Sequence, residues 1–208
     1  MQPKEFVALD KRSQVTVETY NKPVRFYCDV DGVLALYFDT LDARAAHLNH
    51  ARVNLLHPSY GSINVESLDI EWNHVAADAL SVYSHSSQVD FVWLTQWRLN
   101  APATLDALFN IKSKGYLPWS SSPTDYGQFF KAVALVEDQK IAPSPFVWID
   151  DIAATANAVS FFGREGLDMS RALVIKTEMT LGLTIEHIKR IDDFLLERRK
   201  VLTEDITE

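Results

Sequence analysis

The chain has 208 residues, a formal net charge of −8 and a hydrophobic content of 47%. This size suits one α/β domain with an insertion better than two domains, and the acidic balance disfavours non-specific nucleic-acid binding, which needs a basic surface. A single cysteine, Cys28, excludes an intrachain disulfide, and the sequence lacks the roughly 18 to 20 consecutive apolar residues that span a bilayer.

The N-terminal residues 1–23 are mixed in character and are predicted to form an extension ahead of the domain. Within them, Val15–Tyr20 alternates between apolar and polar residues, which is typical of an edge strand. Residues 1–6 lack the apolar core of a signal peptide. We therefore expect a cytoplasmic protein with no membrane partner. The domain is predicted to span residues 24–202, and residues 203–208 form an acidic tail.

Short apolar runs mark the predicted strands. They are continuous rather than alternating, which favours strands buried on both faces of a parallel sheet. The four main runs are Val24–Cys28, Phe91–Leu94, Phe146–Ile149 and Ala172–Ile175. A fifth, short strand is predicted at Tyr116–Leu117, where Pro118 ends it.

Helical patterns lie between the runs. The predicted helices are Glu71–Tyr83, Leu105–Ile111, Lys131–Val136 and Thr184–Leu202, the last with Thr184 as its N-cap. Strands that alternate with helices predict an α/β fold with a doubly wound, Rossmann-like parallel sheet.

Residues 35–70 interrupt this alternation. Within them, Arg52–Leu56 and Ile63–Ile70 are suited to pair across the turn-rich segment Pro58–Gly61. We therefore predict a flap or small cap, inserted after the first strand.

Polar residues follow three of the predicted strands at the point where each ends. Asp29 and Asp31 follow the first, Thr95 the second, and Asp150 with Asp151 the third. Ligands of doubly wound sheets bind beyond the carboxyl ends of the strands. Four carboxylates at one sheet edge would repel each other unless a hard cation lay among them, and oxygen ligands of this kind suit Mg²⁺ shared with a phosphate group.

Each of these residues has an ordinary explanation when taken singly. Asp-x-Asp-Gly is a common turn sequence, and Asp150-Asp151 is suited to cap a helix. Together they support phosphate chemistry. An aspartate can attack phosphorus, a second can protonate the leaving oxygen and later activate water, and a threonine and a lysine can bind the phosphoryl oxygens.

The order and spacing of four motifs resembles the haloacid dehalogenase superfamily of phosphotransferases over about residues 24 to 198. The motifs are Asp29-Val30-Asp31-Gly32, the run Phe91–Leu94 ending in Thr95, the lysine Lys131, and the run Phe146–Ile149 ending in Asp150-Asp151. Lys112 and Lys114 remain alternatives for the lysine. Lys131 is preferred because it opens a helix shortly before the last of these strands, as the lysine of that superfamily does.

The resemblance implies a Mg²⁺-dependent phosphomonoesterase that works through an aspartyl-phosphate. It implies that Asp29 is the nucleophile and a metal ligand, and that Asp31 is the general acid/base with its backbone carbonyl on the metal. It also implies that Asp150 completes the metal site, with Asp151 as a direct or water-mediated ligand. The phosphoryl group would then be bound by Thr95, Gln96 and Lys131.

A narrower resemblance concerns Val92–Trp97, Val147–Asp151 and Gly182–Thr184. These segments are similar to the branch found in "Swiss Army Knife" RNA-repair proteins and in small stand-alone phage and bacterial chains. The branch implies a nucleotide or nucleic-acid end as substrate, although a phosphorylated small molecule is equally compatible with the motifs. Trp97 and Arg98 are predicted at the mouth of the pocket. There they either stack on a base or bind a second phosphate, or they have no ligand, with Trp97 packed against the protein and Arg98 exposed to solvent.

Two other functions remain open. A catalytically weak module could use the same cleft to bind a phosphorylated partner, and a phosphotransferase could pass the group to an acceptor other than water. Asp31 favours an enzyme over a binding module, because a pure binder has no use for an acid/base at that position.

Overall fold

The computed structural model describes residues 22–37, 48–59, 62–119 and 129–204. The predicted edge strand Val15–Tyr20 lies outside these ranges. The described strands are β1 (Val24–Cys28), β2 (Asn49–Ser59), β3 (Ser62–Trp72), β4 (Val89–Trp93), β5 (Phe146–Asp150) and β6 (Ala172–Lys176). The longer helices in these ranges are α1 (His74–His85), α2 (Phe130–Ile141), α3 (Ala156–Arg164) and α4 (Ile185–Glu204), and a 3-10 turn at Met169–Arg171 precedes β6.

The central sheet is parallel and contains four strands in the order β4-β1-β5-β6. Its inner strands are buried on both faces. In β5, Phe146 and Trp148 point into one apolar cluster with α2 and α3, and Val147 and Ile149 point into the other with α1 and α4. The continuous apolar runs have this physical origin, and the predicted α/β class is confirmed as an arrangement compatible with a Rossmann-like fold.

The start of α1 differs from the prediction. Glu71 and Trp72 were expected to be helical, but they end β3. Asn73 begins the helix, because its side chain accepts a 2.9 Å hydrogen bond from the Val75 N–H. Trp72 instead packs edge-on against Phe109, with the ring centroids 5.2 Å apart.

Two further predictions are only partly met. The helix expected at Leu105–Ile111 is a π-helical turn at Ala101–Leu105 followed by one short α-helical turn, Asp106–Leu108. The strand expected at Tyr116–Leu117 is a single bridge between Tyr116 and Trp93. Asn110 adopts a φ of 50°, a left-handed conformation that ends the helical turn.

The segments within the predicted insertion pair as an antiparallel hairpin, β2 with β3. Val53, Leu55 and Ile70 bury their side chains in the cluster that also contains α1 and α4. The Asn100 side chain binds the backbone of β2, since its Oδ1 accepts the Leu56 N–H at 2.8 Å and its Nδ2 donates to the Leu56 carbonyl at 3.1 Å. The hairpin is thereby connected to the segment that follows β4.

None of the helices in the described ranges is long and apolar enough to cross a membrane.

Candidate metal and phosphate site

A tight turn follows β1 and places the two aspartates of the first motif. The N–H groups of Leu34 and Ala35 both donate to the Val30 carbonyl at 2.9 Å. Gly32 has a φ of 64°, which favours glycine. A second loop supports the turn from outside, since the Thr177 hydroxyl donates to the Gly32 carbonyl at 2.7 Å. Hydrogen bonds within the turn and from Thr177 therefore both stabilise it.

Lys131 lies at the centre of the site, in the first turn of α2, and is buried. Its Nζ donates to Asp150 Oδ2 at 2.7 Å and also to Asp29 Oδ2. The other oxygens are bound by backbone donors. Asp29 Oδ1 accepts the Val30 N–H at 2.8 Å, and Asp150 Oδ1 accepts the Ala153 N–H at 2.5 Å. Both carboxylates are therefore fixed in orientation.

For both Asp29 and Lys131, burial and the neighbouring opposite charge shift the pKa in opposite directions. Burial raises the pKa of Asp29 to about 7, although the ammonium of Lys131 opposes the rise. Burial alone would lower the pKa of Lys131, but the carboxylates of Asp29 and Asp150 outweigh it and the pKa is raised. Lys131 therefore stays positively charged at neutral pH.

The carboxylates of Asp29, Asp150 and Asp151 each offer an oxygen, and these three oxygens lie within 4.8 Å of one another. With Lys131 they carry a net charge of −2 when all are ionised. Asp151 Oδ2 is buried and accepts no hydrogen bond from any described residue. Burial, and then the charge of Asp150, raise the pKa of Asp151. A buried carboxylate oxygen without a donor, in an all-oxygen group with excess negative charge, fits a hard divalent cation.

Asp31 is not one of these three clustered carboxylates. Its Oδ1 accepts a 2.6 Å hydrogen bond from the Tyr37 hydroxyl, and both of its oxygens lie 3.1 Å from the indole Nε1 of Trp97. Asp31 is half-buried. Asp29 and Asp31 thus differ in environment, which suits different chemical roles for the two carboxylates.

Thr95 is fully buried, two residues beyond the end of β4. The Leu94 N–H donates to the Cys28 carbonyl at 2.8 Å, so this loop stays beside the end of β1. Thr95 Oγ1 accepts the Trp97 N–H at 3.3 Å, which leaves the hydroxyl hydrogen available to another acceptor. Gln96, predicted to bind the same phosphoryl group, is exposed.

Of the three candidate lysines, Lys131 is the one that contacts the aspartates. Lys112 and Lys114 are exposed, and Lys114 Nζ lies 3.6 Å from Asp90 Oδ1. Arg98 is also exposed, and its guanidinium lies 5.2 Å from the ring centroid of Trp119. Trp97, by contrast, is 7% exposed, and it faces Asp31 with its indole N–H. Its ring therefore packs inside the protein.

Sequence reasoning did not identify Tyr37 or Thr177 as part of the site. Thr177 follows β6 in the way that Thr95 follows β4, so the strand-end rule could have identified it. Tyr37 has no comparable sequence signal, because its contact with Asp31 depends on the path of the chain after the turn.

Comparison with protein-family models, with curated proteins and with solved structures found no match. A functional assignment therefore depends on the geometry of the site.

Proposed function

We propose that the chain is a Mg²⁺-dependent phosphomonoesterase of the haloacid dehalogenase type. The observation that supports it best is the buried Lys131 between Asp29 and Asp150, with the unpaired Asp151 oxygen beside them. This group lies at the carboxyl edge of a parallel sheet, where such folds bind ligands.

In the first step, a carboxylate oxygen of Asp29 forms a bond to phosphorus while the bond from phosphorus to the leaving oxygen breaks. Asp31 gives its proton to that leaving oxygen. In the second step, Asp31 takes a proton from water, and the water oxygen bonds to phosphorus. The bond between phosphorus and Asp29 then breaks, which releases inorganic phosphate and restores Asp29.

The remaining residues bind charge rather than transfer protons. The Thr95 hydroxyl hydrogen is available to a phosphoryl oxygen, and the Lys131 ammonium neutralises part of the charge that develops on the transferring group. Asp29, Asp150 and Asp151 are the residues that would hold the metal. A bound Mg²⁺ would offset the negative charge shared by these carboxylates and the substrate phosphate.

The proposed substrate class is a nucleotide or a phosphorylated nucleic-acid end. The resemblance of Val92–Trp97 and Val147–Asp151 to the domains of RNA-repair proteins supports it, and this support is an analogy. Arg98 and Trp119 offer an exposed cation beside an aromatic ring, and such groups can contact a second phosphate or a base.

A phosphatase assay on the purified chain tests the proposal. Aryl phosphate, 5′- and 3′-nucleotides and end-phosphorylated oligonucleotides are incubated with chelator and then with Mg²⁺. We expect phosphate release only with Mg²⁺, and we expect Asp29→Asn to abolish it because the attacking oxygen is lost. Asp90→Asn, which changes an aspartate beside Lys114, serves as the matched control and should retain turnover.

Three results would count against the proposal. Full turnover by Asp29→Asn would exclude the covalent route. Tight binding of phosphorylated ligands without turnover in Mg²⁺ would favour the binding module. Transfer of the phosphoryl group to an added alcohol in preference to water would favour a phosphotransferase.

A further inference from the structure

Two aromatic side chains from different segments hold the Asp31 carboxylate. Tyr37 follows the turn after β1, and its hydroxyl donates to Asp31 Oδ1 at 2.6 Å. Trp97 follows β4, and its indole N–H lies 3.1 Å from both carboxylate oxygens. The Trp97 N–H is shared between both oxygens, and the Tyr37 hydroxyl binds only one of them. Together the two donors restrict rotation of the carboxylate.

Trp97 is anchored through its ring, and Tyr37, which is 38% exposed, is anchored through its backbone. The Trp97 ring packs in the core cluster shared with α1 and α4, and the Asn100 N–H donates to the Trp97 carbonyl at 3.0 Å. The Tyr37 N–H donates to the Met179 carbonyl at 3.1 Å, in the loop that follows β6. The donors therefore come from two loops with independent supports, and the carboxylate cannot rotate without losing contacts to both.

Orientation matters for this carboxylate more than for an ordinary surface aspartate. A proton donor must lie within hydrogen-bond reach of the leaving oxygen, and a displacement of about 1 Å can cost about 10²-fold in rate. Asp31 is half-buried and is not one of the three clustered carboxylates. Without Tyr37 and Trp97, its side chain would have other rotamers open to it.

We propose that Trp97 and Tyr37 are positioning residues that orient the Asp31 carboxylate for proton transfer to the leaving group. This inference rests on the proposed phosphatase function. It assigns Trp97 a role in the chemical step through Asp31, which differs from both roles that the sequence left open, the stacking of a substrate base and simple packing.

The first arm of the test removes each hydrogen bond with the least change of shape. Trp97 is replaced by 3-benzothienylalanine, which exchanges the indole N–H for sulfur, and Tyr37→Phe deletes one hydroxyl. We expect kcat/KM, which reports the steps up to departure of the leaving group, to fall by about 10-fold or more with an alkyl phosphate, whose leaving group needs a proton. With an aryl phosphate, which leaves without much protonation, kcat/KM should fall by less than about 3-fold.

Tyr83→Phe is the matched control for the hydroxyl deletion. The Tyr83 hydroxyl donates to Asp192 Oδ1 at 2.7 Å, between α1 and α4, so the same bond type is removed at another place. This variant should keep wild-type kcat/KM with both substrates. Natural tryptophan introduced at residue 97 by the same method controls for the incorporation of the analogue. Equal losses on alkyl and aryl phosphates in the Trp97 and Tyr37 variants would overturn the inference, since a merely structural role predicts that result.

The second arm detects the contact without turnover. In an NMR spectrum of the ¹⁵N-labelled chain, Asp31→Ala should shift the Trp97 indole N–H resonance and speed its exchange with water by about 10-fold or more. The Trp93 indole N–H, which donates to Asp106 at 2.8 Å, is the internal reference and should not change.

The two arms separate the failures. If the Trp97 indole N–H resonance is unchanged in Asp31→Ala, the contact between Trp97 and Asp31 is absent. The inference is then overturned, whether or not the protein hydrolyses phosphate esters. If the resonance responds but the wild-type chain hydrolyses no phosphate ester, the proposed function is overturned and the positioning role with it, while the contact itself is established.

Discussion

Gly32 lies against Asp151 so closely that a β-carbon on Gly32 would come within 2.6 Å of the Asp151 Cβ. The φ of Gly32, 64°, adds a conformational demand that other residues meet poorly. We predict that Gly32→Ala lowers the free energy of unfolding by about 2 to 4 kcal/mol, from left-handed strain and overpacking together. It should also displace Asp151 and weaken Mg²⁺ binding, as measured by urea denaturation and by titration with the metal.

Gly163→Ala is the control for this change. Gly163 lies within α3, and a β-carbon there would meet nothing within 4 Å. We expect this variant to gain about 0.5 to 1 kcal/mol, because alanine favours the helix. Equal stabilities for the two variants would contradict the close approach of Gly32 to Asp151.

Lys131→Met should make the fold depend on metal. The ammonium of Lys131 bridges Asp29 and Asp150, so its removal leaves two buried carboxylates facing each other. We expect a loss of about 3 to 5 kcal/mol in chelator, as is typical when one partner of a buried ion pair is removed. Mg²⁺ should restore part of this loss, and denaturation in chelator and in Mg²⁺ measures both quantities.

The matched control is Lys140→Met. Lys140 Nζ lies 2.6 Å from Glu165 Oε2, but its side chain is 53% exposed. Removing an exposed pair costs about 1 kcal/mol or less, and Mg²⁺ should not alter the result. Similar losses in the two variants would mean that Lys131 does not hold the buried carboxylates.

Asn100→Ala should loosen the hairpin. The Asn100 side chain both accepts from and donates to the Leu56 backbone in β2. We expect a loss of about 1 kcal/mol and faster hydrogen exchange of the Leu56 amide. Asn54→Ala is the control, because Asn54 bonds to the Ser67 side chain at 2.8 Å in the same hairpin and holds no backbone amide in that contact. Unchanged hydrogen exchange of the Leu56 amide in Asn100→Ala would show that the two hydrogen bonds from Asn100 do not stabilise the hairpin.

Mg²⁺ should stabilise the protein more at high pH than at low pH. Burial raises the pKa of Asp29 to about 7, and a carboxylate must lose its proton before it binds a metal. The shift in Tm on adding Mg²⁺ should therefore be larger at about pH 8 than at about pH 6. Asp29→Asn should reduce this difference, and Asp151, whose pKa is also raised, accounts for what remains. A pH-independent shift in the wild type would exclude Asp29 as the titrating ligand.

Without metal, the pH dependence of stability from Asp29 has the opposite sign. Its folded-state pKa lies above the ordinary value of 3.8, so the folded protein binds more protons than the unfolded chain between these values. The contribution of Asp29 to stability is therefore fully present below about pH 4 and is lost as the pH rises through about 7. Comparing the slopes for wild type and Asp29→Asn in chelator isolates this contribution.

The sequence predicts the sheet well because its inner strands are buried on both faces. A run such as Phe146–Ile149 is apolar on both faces, so it is recognisable as a strand from the sequence alone. The polar residues that follow such runs then indicate where the candidate site lies. The predicted start of α1, at Glu71, is wrong for a local reason. The spacing of Trp72 and Ala76 fits a helix, but the side-chain cap of Asn73 decides where the helix begins. The position of Thr177 after β6 can be recognised from the sequence, but its contact with Gly32 joins residues 145 positions apart, and no local pattern predicts that partner.

If the proposed mechanism holds, substitutions of the two aspartates of the first motif should impair different steps. Asp29→Asn removes the attacking oxygen, so no phosphoenzyme can form. Asp31→Asn keeps the shape of the side chain and the backbone carbonyl, but it removes the proton relay, which is typically worth about 10² to 10⁴ in rate. The loss in the rate of phosphoenzyme formation by Asp31→Asn should be smallest with aryl phosphates, because their leaving groups need little protonation.

In the proposed mechanism, hydrolysis of the aspartyl-phosphate also needs Asp31, since water must lose a proton as it attacks phosphorus. Phosphoenzyme should therefore accumulate in Asp31→Asn when it is mixed with an aryl phosphate, and it should not form in Asp29→Asn. Intact-protein mass spectrometry under acidic quench detects the added phosphoryl group. If a phosphoryl group appeared on Asp29→Asn, the nucleophile would be another residue. If both variants bound substrate and hydrolysed it at the wild-type rate, the covalent mechanism would be wrong and the Asp31 contacts with Tyr37 and Trp97 would serve only the fold.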